Sequence, residues 1–149
     1  MIHAAILGFG TVGSGAAEVL TMNKDLLAKK AGDEICLKYI LDTRDFPGSP
    51  FEDKIVHDFA HIEQDPQISV VAECIGGATI AYEFVKRCLQ AGKHVATSNK
   101  ELVATKGYEL LQIAKEKNVN FLFEASVGGG IPILRPMDQC LAANEVFEV

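Results

Sequence analysis

The sequence predicts an α/β protein, a doubly wound and mainly parallel sheet with helices on both faces. Three observations carry that prediction. Short apolar runs alternate with amphipathic helical stretches along the chain, and strand–helix alternation with short connections builds a parallel sheet. The first run, Ile2–Leu7, feeds a loop in which Gly8, Gly10 and Gly13 spell G-x-G-x-x-G at the mouth of a helix. Residues 68–75, ISVVAECI, are almost unbroken in their apolarity, as strands covered on both faces are.

Composition sets the frame. A chain of 149 residues with 48% hydrophobic and 23% charged residues is one ordinary globular domain. The net charge of −6 argues against nucleic acid and anionic membranes as partners. No apolar run reaches the roughly 18 residues of a membrane span, and a strand beginning at Ile2 leaves no room for a signal peptide. Cys36, Cys74, Cys88 and Cys140 show no C-x-x-C spacing. Reduced, buried cysteines in a cytoplasmic protein are therefore expected, not zinc ligands or disulfides.

Each element has its own signal. Residues 16–30 carry apolar positions at helical spacing, with Gly32 as the stop. Ile35–Leu41 is a β-rich run, and DFPGSP at 45–50 is turn chemistry. Residues 58–65 predict a short helix halted by Pro66. His57 and His61 lie four apart there, on a solvated face that lacks a third metal ligand. Residues 78–91 form an amphipathic helix ended by Gly92, and His94–Thr97 is a short strand. Ser98 and Glu101, three apart, read as a capping box for a helix running to about Lys117. Residues 119–124 predict another strand. Pro132 is placed near the first turn of a further helix, and Pro136 either falls in that turn or kinks it. VFEV at 146–149 looks like the start of one more strand.

The glycine loop makes the sheet a Rossmann-type one. Its first glycine permits the sharp turn, its second the close approach of backbone N–H groups to a pyrophosphate, and its third close helix–strand packing. The phosphates then sit at the positive end of a helix. Ligands of such sheets gather outside the carboxyl ends of the strands. The candidate site is therefore residues 8–13, 42–44, 76–77, 98–100 and 124–130.

Several residues there carry chemistry. Asp42 ends the second strand, where an acid accepts hydrogen bonds from the adenosine ribose; Arg44 suits a 2′-phosphate. The pair leaves NAD and NADP both open. Lys100 opposes the helix dipole in a first turn, at roughly 0.3–1 kcal/mol. A bound anion or a chemical role offsets that cost, or the side chain is a tolerated surface lysine. In ASVGGGIP, residues 125–132, successive glycines allow carbonyls to turn inward on a cation, with Glu124 adding charge. The same glycines also fit an interdomain hinge.

GFGTVGSG, AECIGG, AGKHVATSNKELVATKG and FEASVGGGIPILRP, in this order and spacing, closely resemble the amino-terminal half of homoserine dehydrogenase. The resemblance runs from Ile2 to about Glu145. It implies an NAD(P)-dependent oxidoreductase that reduces aspartate 4-semialdehyde to homoserine, in threonine, methionine and isoleucine biosynthesis. By position, Phe9, Thr11 and Val12 would line the cofactor loop with Gly8, Gly10 and Gly13. Arg44 would face the adenosine 2′ position beside Asp42, and Gly76 and Ser98 would border the ribose and nicotinamide. Lys100 falls on a family lysine near the nicotinamide and the reacting oxygen. Glu124, Val127, Gly129 and Ile131 match a loop that holds a monovalent cation, sodium or potassium, mostly through main-chain carbonyls.

The family's substrate half and main dimerisation surface have no counterpart in these residues. Residues 1–149 are thus expected to be a dinucleotide-binding domain, inactive alone, from a longer protein that forms homo-oligomers. Thr97-Ser98-Asn99 stands where the family often has alanine before the asparagine, a small departure. Two alternatives remain at this point. One is a non-catalytic, dinucleotide-responsive interaction module; the other is a different amino-acid-pathway reductase sharing the first βαβ unit.

Overall fold

The computed structural model describes residues 1–143 and 145. The strand expected at 146–149 lies outside them. Among the described residues six strands, all parallel, form one sheet in the order β3-β2-β1-β4-β5-β6. They are β1 (Ile2–Leu7), β2 (Ile35–Leu41), β3 (Ile55–Val56), β4 (Ile68–Glu73), β5 (His94–Thr97) and β6 (Phe121–Leu122). From the central β1 the chain winds outward to β2 and β3, then crosses back to β4 and continues the other way. That reversal beside β1 is the switch point at which such sheets bind ligands.

Alternation along β1 sends its side chains to two cores. Ala5 and Leu7 join β4, β5 and the helices α4 (Thr79–Gln90) and α5 (Lys100–Lys117), with Val71, Val85, Leu89, Val95, Leu102 and Leu110 all buried. Ile6 packs on the other face with Phe9, Ala17, Leu37, Ile40 and Phe51, beneath α1 (Thr11–Met22). Covering both faces is what makes an all-parallel sheet stable. One expectation is met only in part: in β4, Ile68, Val71 and Glu73 are buried, but Val70 and Ala72 stay half-buried. An apolar cavity of about 340 Å³ separates them from Ala16, Val19 and Leu20 of α1.

The elements depart from the periodicity in instructive places. The first helix begins at Thr11, not residue 16, because Gly13 belongs to its first turn. It breaks at Asn23, and α2 (Lys24–Ala31) continues to Gly32, which takes the left-handed conformation that glycine adopts at helix ends. The short helix α3 is Ala60–Glu63 only, so His57 and His61 do not share a helical face. The capping box is displaced by one residue: Asn99 is the N-cap of α5, its side chain accepting from the Leu102 N–H at 3.0 Å. β6 is two residues long, and Glu124 opens a helical turn, α6 (Glu124–Val127). α7 spans Leu134–Cys140, and Pro136 falls in its first turn. Among the cysteines Cys88 is buried, Cys36 and Cys74 are half-buried, and Cys140 is exposed; all are free thiols.

Candidate functional site

Because the strands are parallel, their carboxyl ends share one edge of the sheet. The loops after β1, β2, β4, β5 and β6 bring residues 8–13, 42–44, 76–77, 98–100 and 124–130 to it. The centre is the β1–α1 turn. Gly8 has φ +91°, a conformation closed to most residues, and its N–H donates to the Leu41 carbonyl at 2.8 Å. A Cβ on Gly13 would lie 1.9 Å from the Gly8 carbonyl oxygen, so only glycine lets α1 sit this close to the strand. A Cβ on Gly10 would meet nothing within 4 Å. That open space lies at the N-terminus of α1, where Gly10 supplies no side-chain cap and the first turn holds no acid. Backbone donors at a helix start, with room above them, fit a pyrophosphate.

Beside the turn, Asp42 and Arg44 are locked together. The Arg44 Nε and Nη2 donate to the Asp42 carboxylate at 3.0 Å each, and the Arg44 N–H donates to it as well, also at 3.0 Å. Asp42 Oδ2, which takes the Nη2 bond, also accepts the Phe9 N–H at 2.8 Å. The Arg44 guanidinium and these backbone donors hold the Asp42 carboxyl well below the usual range. Phe9 contributes only backbone to the loop; its ring is buried edge-on against Phe46 and Phe51. His57 is exposed, as expected, and its ring also reaches the end of β2. Its Nδ1 donates to the Asp42 carbonyl at 2.7 Å and its Nε2 lies 3.0 Å from the Asp45 carboxylate, which together raise the imidazole pKa. A cavity of about 340 Å³ opens beside the pair, walled by Thr43, His57, Ile75, Ile80 and Phe84. Its apolar walls and polar rim suit an adenosine.

On the far side of β1, a cavity of about 440 Å³ runs from Val12 past Glu73, Thr97 and Ser98 to Glu124, Pro132 and Arg135. Cys74 of the β4–α4 turn lines it, and Gly76 and Gly77 follow in that turn, Gly77 at φ +79°. Lys100 is exposed at the first position of α5. Glu73 is a functional candidate that periodicity missed. It is fully buried, and burial pushes its carboxyl up. Burial, with the Glu73 charge next to it, also pushes the Cys74 thiol up to about 11. An acid inside an otherwise apolar run was the signal available.

Glu124 ends the cleft. Its carboxylate accepts from the Ile133, Leu134 and Arg135 N–H groups at 2.6, 2.8 and 2.9 Å, and these backbone donors lower its pKa. It thereby caps α7 and folds residues 128–132 back over the cleft. Val127, at the end of α6, and Gly129 and Ile131 of that loop are exposed. Glu124→Gln is expected to loosen α7, with amide exchange at Ile133, Leu134 and Arg135 faster by about tenfold. Unchanged protection by NMR would show that the cap does not hold α7. Among the described residues, no group of three or more His, Cys, Asp or Glu side chains is placed to hold a metal ion. Nor is any of their helices long and apolar enough to cross a membrane.

The geometry has close counterparts. The family model "Homoserine dehydrogenase, NAD binding domain" matches residues 8–124. Homoserine dehydrogenase of Pseudomonas aeruginosa is 39% identical over 146 residues, which are 97% of this chain and 34% of that protein. The Bacillus subtilis homoserine dehydrogenase is 36% identical over 152 residues, 99% of this chain and 35% of that protein. Among solved structures, a homoserine dehydrogenase from Thiobacillus denitrificans superposes with a TM-score of 0.87 at 37% identity, over 96% of this chain and 34% of that one. The chain thus spans about a third of the length of the relatives it matches. Neither alternative, an interaction module or a different amino-acid-pathway reductase sharing the first βαβ unit, is favoured by these matches. With the family model over residues 8–124 and relatives at 39% and 36% identity across nearly all of its length, the chain belongs to the homoserine dehydrogenase family, as its NAD-binding domain.

Proposed function

We propose that the chain is the cofactor-holding unit of an enzyme that interconverts aspartate 4-semialdehyde and homoserine with NADPH or NADH. The observation that carries this reading is the β1–α1 turn, with Gly13 packed tight and Gly10 facing open space. When bound, the nicotinamide supplies or accepts the hydride. The backbone of Gly8, Gly10, Thr11, Val12 and Gly13 holds the pyrophosphate, and Asp42 and Arg44 hold the adenosine ribose. Gly76 and Ser98 border the nicotinamide riboside, and Lys100 reaches toward the reacting oxygen. Support for Lys100 is its place at the cleft edge of α5, where a cation opposes the helix dipole.

The proposed monovalent cation, sodium or potassium, sits in the 124–131 loop on main-chain carbonyls of Val127, Gly129 and Ile131. Glu124 shapes that loop by capping α7. Residues 1–149 act as one dinucleotide-binding domain of a homo-oligomeric cytoplasmic enzyme. Groups that grip the amino-acid substrate come from the two thirds of the relatives' length not spanned here. Hydride transfer needs both partners held at near-attack distance, so the 149-residue chain is expected to bind cofactor without turning over.

Titration with NADPH and NADH, with homoserine oxidation assayed alongside, tests this. Saturable binding without turnover is expected; efficient turnover, or no binding of either nucleotide, contradicts it. In the same titration Arg44→Ala should weaken NADPH about tenfold or more relative to NADH, because a charge-assisted contact to phosphate is lost. Equal loss of both would remove Arg44 from the 2′ position.

A further inference from the structure

Glu73 has no place in the roles assigned above, yet its surroundings are specific. The carboxyl group ends β4 and is completely buried. One oxygen accepts the Ile75 N–H at 2.6 Å; the other accepts the hydroxyl of Thr97, at the end of β5. Thr97 Oγ1 in turn accepts the Asn99 N–H at 3.0 Å. The Asn99 side chain closes the ring, its Nδ2 donating to the carbonyls of Ile75 at 3.1 Å and Gly77 at 2.7 Å. Its Oδ1 caps α5 at Leu102.

Every partner of this carboxyl is neutral. A buried carboxyl without a counter-charge is costly, and an apolar residue would serve the strand better. What an apolar residue would lose is the ring itself. The ring ties the β4–α4 turn, which carries Gly76, to the β5–α5 turn, which carries Ser98 and Lys100. Both turns border the cavity next to Glu73. Of the ring's residues Glu73 and Thr97 line that cavity, and Ile75 lines the adenosine-side one.

We infer that Glu73 is a positioning residue for the nicotinamide half of the cofactor: through Thr97 and Asn99 it sets the two turns between which that half lies. The inference rests on the dinucleotide reading and adds to it a residue that touches no substrate. It separates two ligands. NADPH uses both halves of the cleft, whereas 2′-phospho-ADP lacks the whole nicotinamide riboside and uses the β1 and β2 side.

The test measures the affinity of both ligands for the 149-residue chain as wild type, Glu73→Gln, Thr97→Val and Thr97→Ser, with a urea midpoint for each. Gln can replace only one of the two acceptors, and Val keeps the shape of Thr without its hydroxyl. Both are expected to weaken NADPH about tenfold and leave 2′-phospho-ADP within about twofold; Thr97→Ser should restore NADPH binding. Equal loss of both ligands, loss of neither, or a Thr97→Ser variant as weak as Thr97→Val overturns the inference. Should the wild type bind neither ligand, the dinucleotide reading falls and this inference with it. Wild-type binding with unaffected variants removes the inference alone.

Discussion

Gly13→Ala should destabilise the chain by about 3 kcal/mol or more, while Gly10→Ala, three residues away, should leave folding nearly untouched and sharply weaken cofactor binding. The added methyl at position 13 would sit 1.9 Å from the Gly8 carbonyl oxygen and 2.9 Å from its carbon. Both are backbone atoms of a turn held by the Leu41 and Asp42 contacts, so neither yields cheaply, and overpacking against a fixed wall is among the most destabilising of single changes. At Gly10 the backbone has φ −83°, open to any residue, and its Cβ meets no protein atom. Alanine costs at most about 1 kcal/mol there as a poorer N-cap. The space it fills is the one assigned to the pyrophosphate, and NADPH affinity should fall about a hundredfold or more. Urea unfolding and NADPH titration of the two variants separate the roles. Equal stabilities, or undiminished binding by Gly10→Ala, would contradict the assignment.

Asp42→Ala should cost about 2–3 kcal/mol at neutral pH, because hydrogen bonds to a charged acceptor are the strong ones and their donors would be left without it. The carboxylate is only 9% exposed, and the Phe9 N–H that it accepts fixes the glycine loop to the end of β2. The exposed Arg44 side chain adds little on its own. The contribution has a definite pH dependence. Since Arg44 holds the folded carboxyl below its unfolded value of about 3.9, the folded chain binds this proton more weakly than the unfolded one. The stabilisation is complete above that value and is lost as pH falls below it. Between pH 7 and pH 3 the difference between wild type and Asp42→Ala in urea should narrow by about 1 kcal/mol. A difference that does not change with pH would mean that Asp42 acts by shape alone.

What could be read in advance was local. The glycine turn, the Ile35–Leu41 strand and the α4 and α5 helices follow from glycine placement and apolar period, and the parallel topology follows from their alternation. That alternation alone puts the five strand-end segments on one edge. What escaped depends on contacts between distant residues. Glu73 meets Thr97 across 24 positions and His57 meets Asp42 across 15; no periodicity records such pairings. β3 is two residues between turn signals and exists only because β2 offers it an edge. Ser98 lost the N-cap to Asn99 because only Asn99, with both an acceptor and two donors, reaches Leu102, Ile75 and Gly77 together. Glu124 looked like a strand end and is instead the acceptor that α7 needs for its first N–H groups.

The central claim is where the dinucleotide lies: across the carboxyl ends of the strands, with its pyrophosphate on the β1–α1 turn. Amide-resolved NMR of the 149-residue chain during an NADPH titration tests it most directly. The account predicts the largest shifts at Gly10, Thr11, Val12 and Gly13, with further shifts at Arg44, Gly76 and Ser98, and little change at the opposite sheet edge near Ile35, Ile68 and His94. Shifts concentrated at that opposite edge, or a saturable complex that leaves Gly10 to Gly13 unmoved, would contradict it.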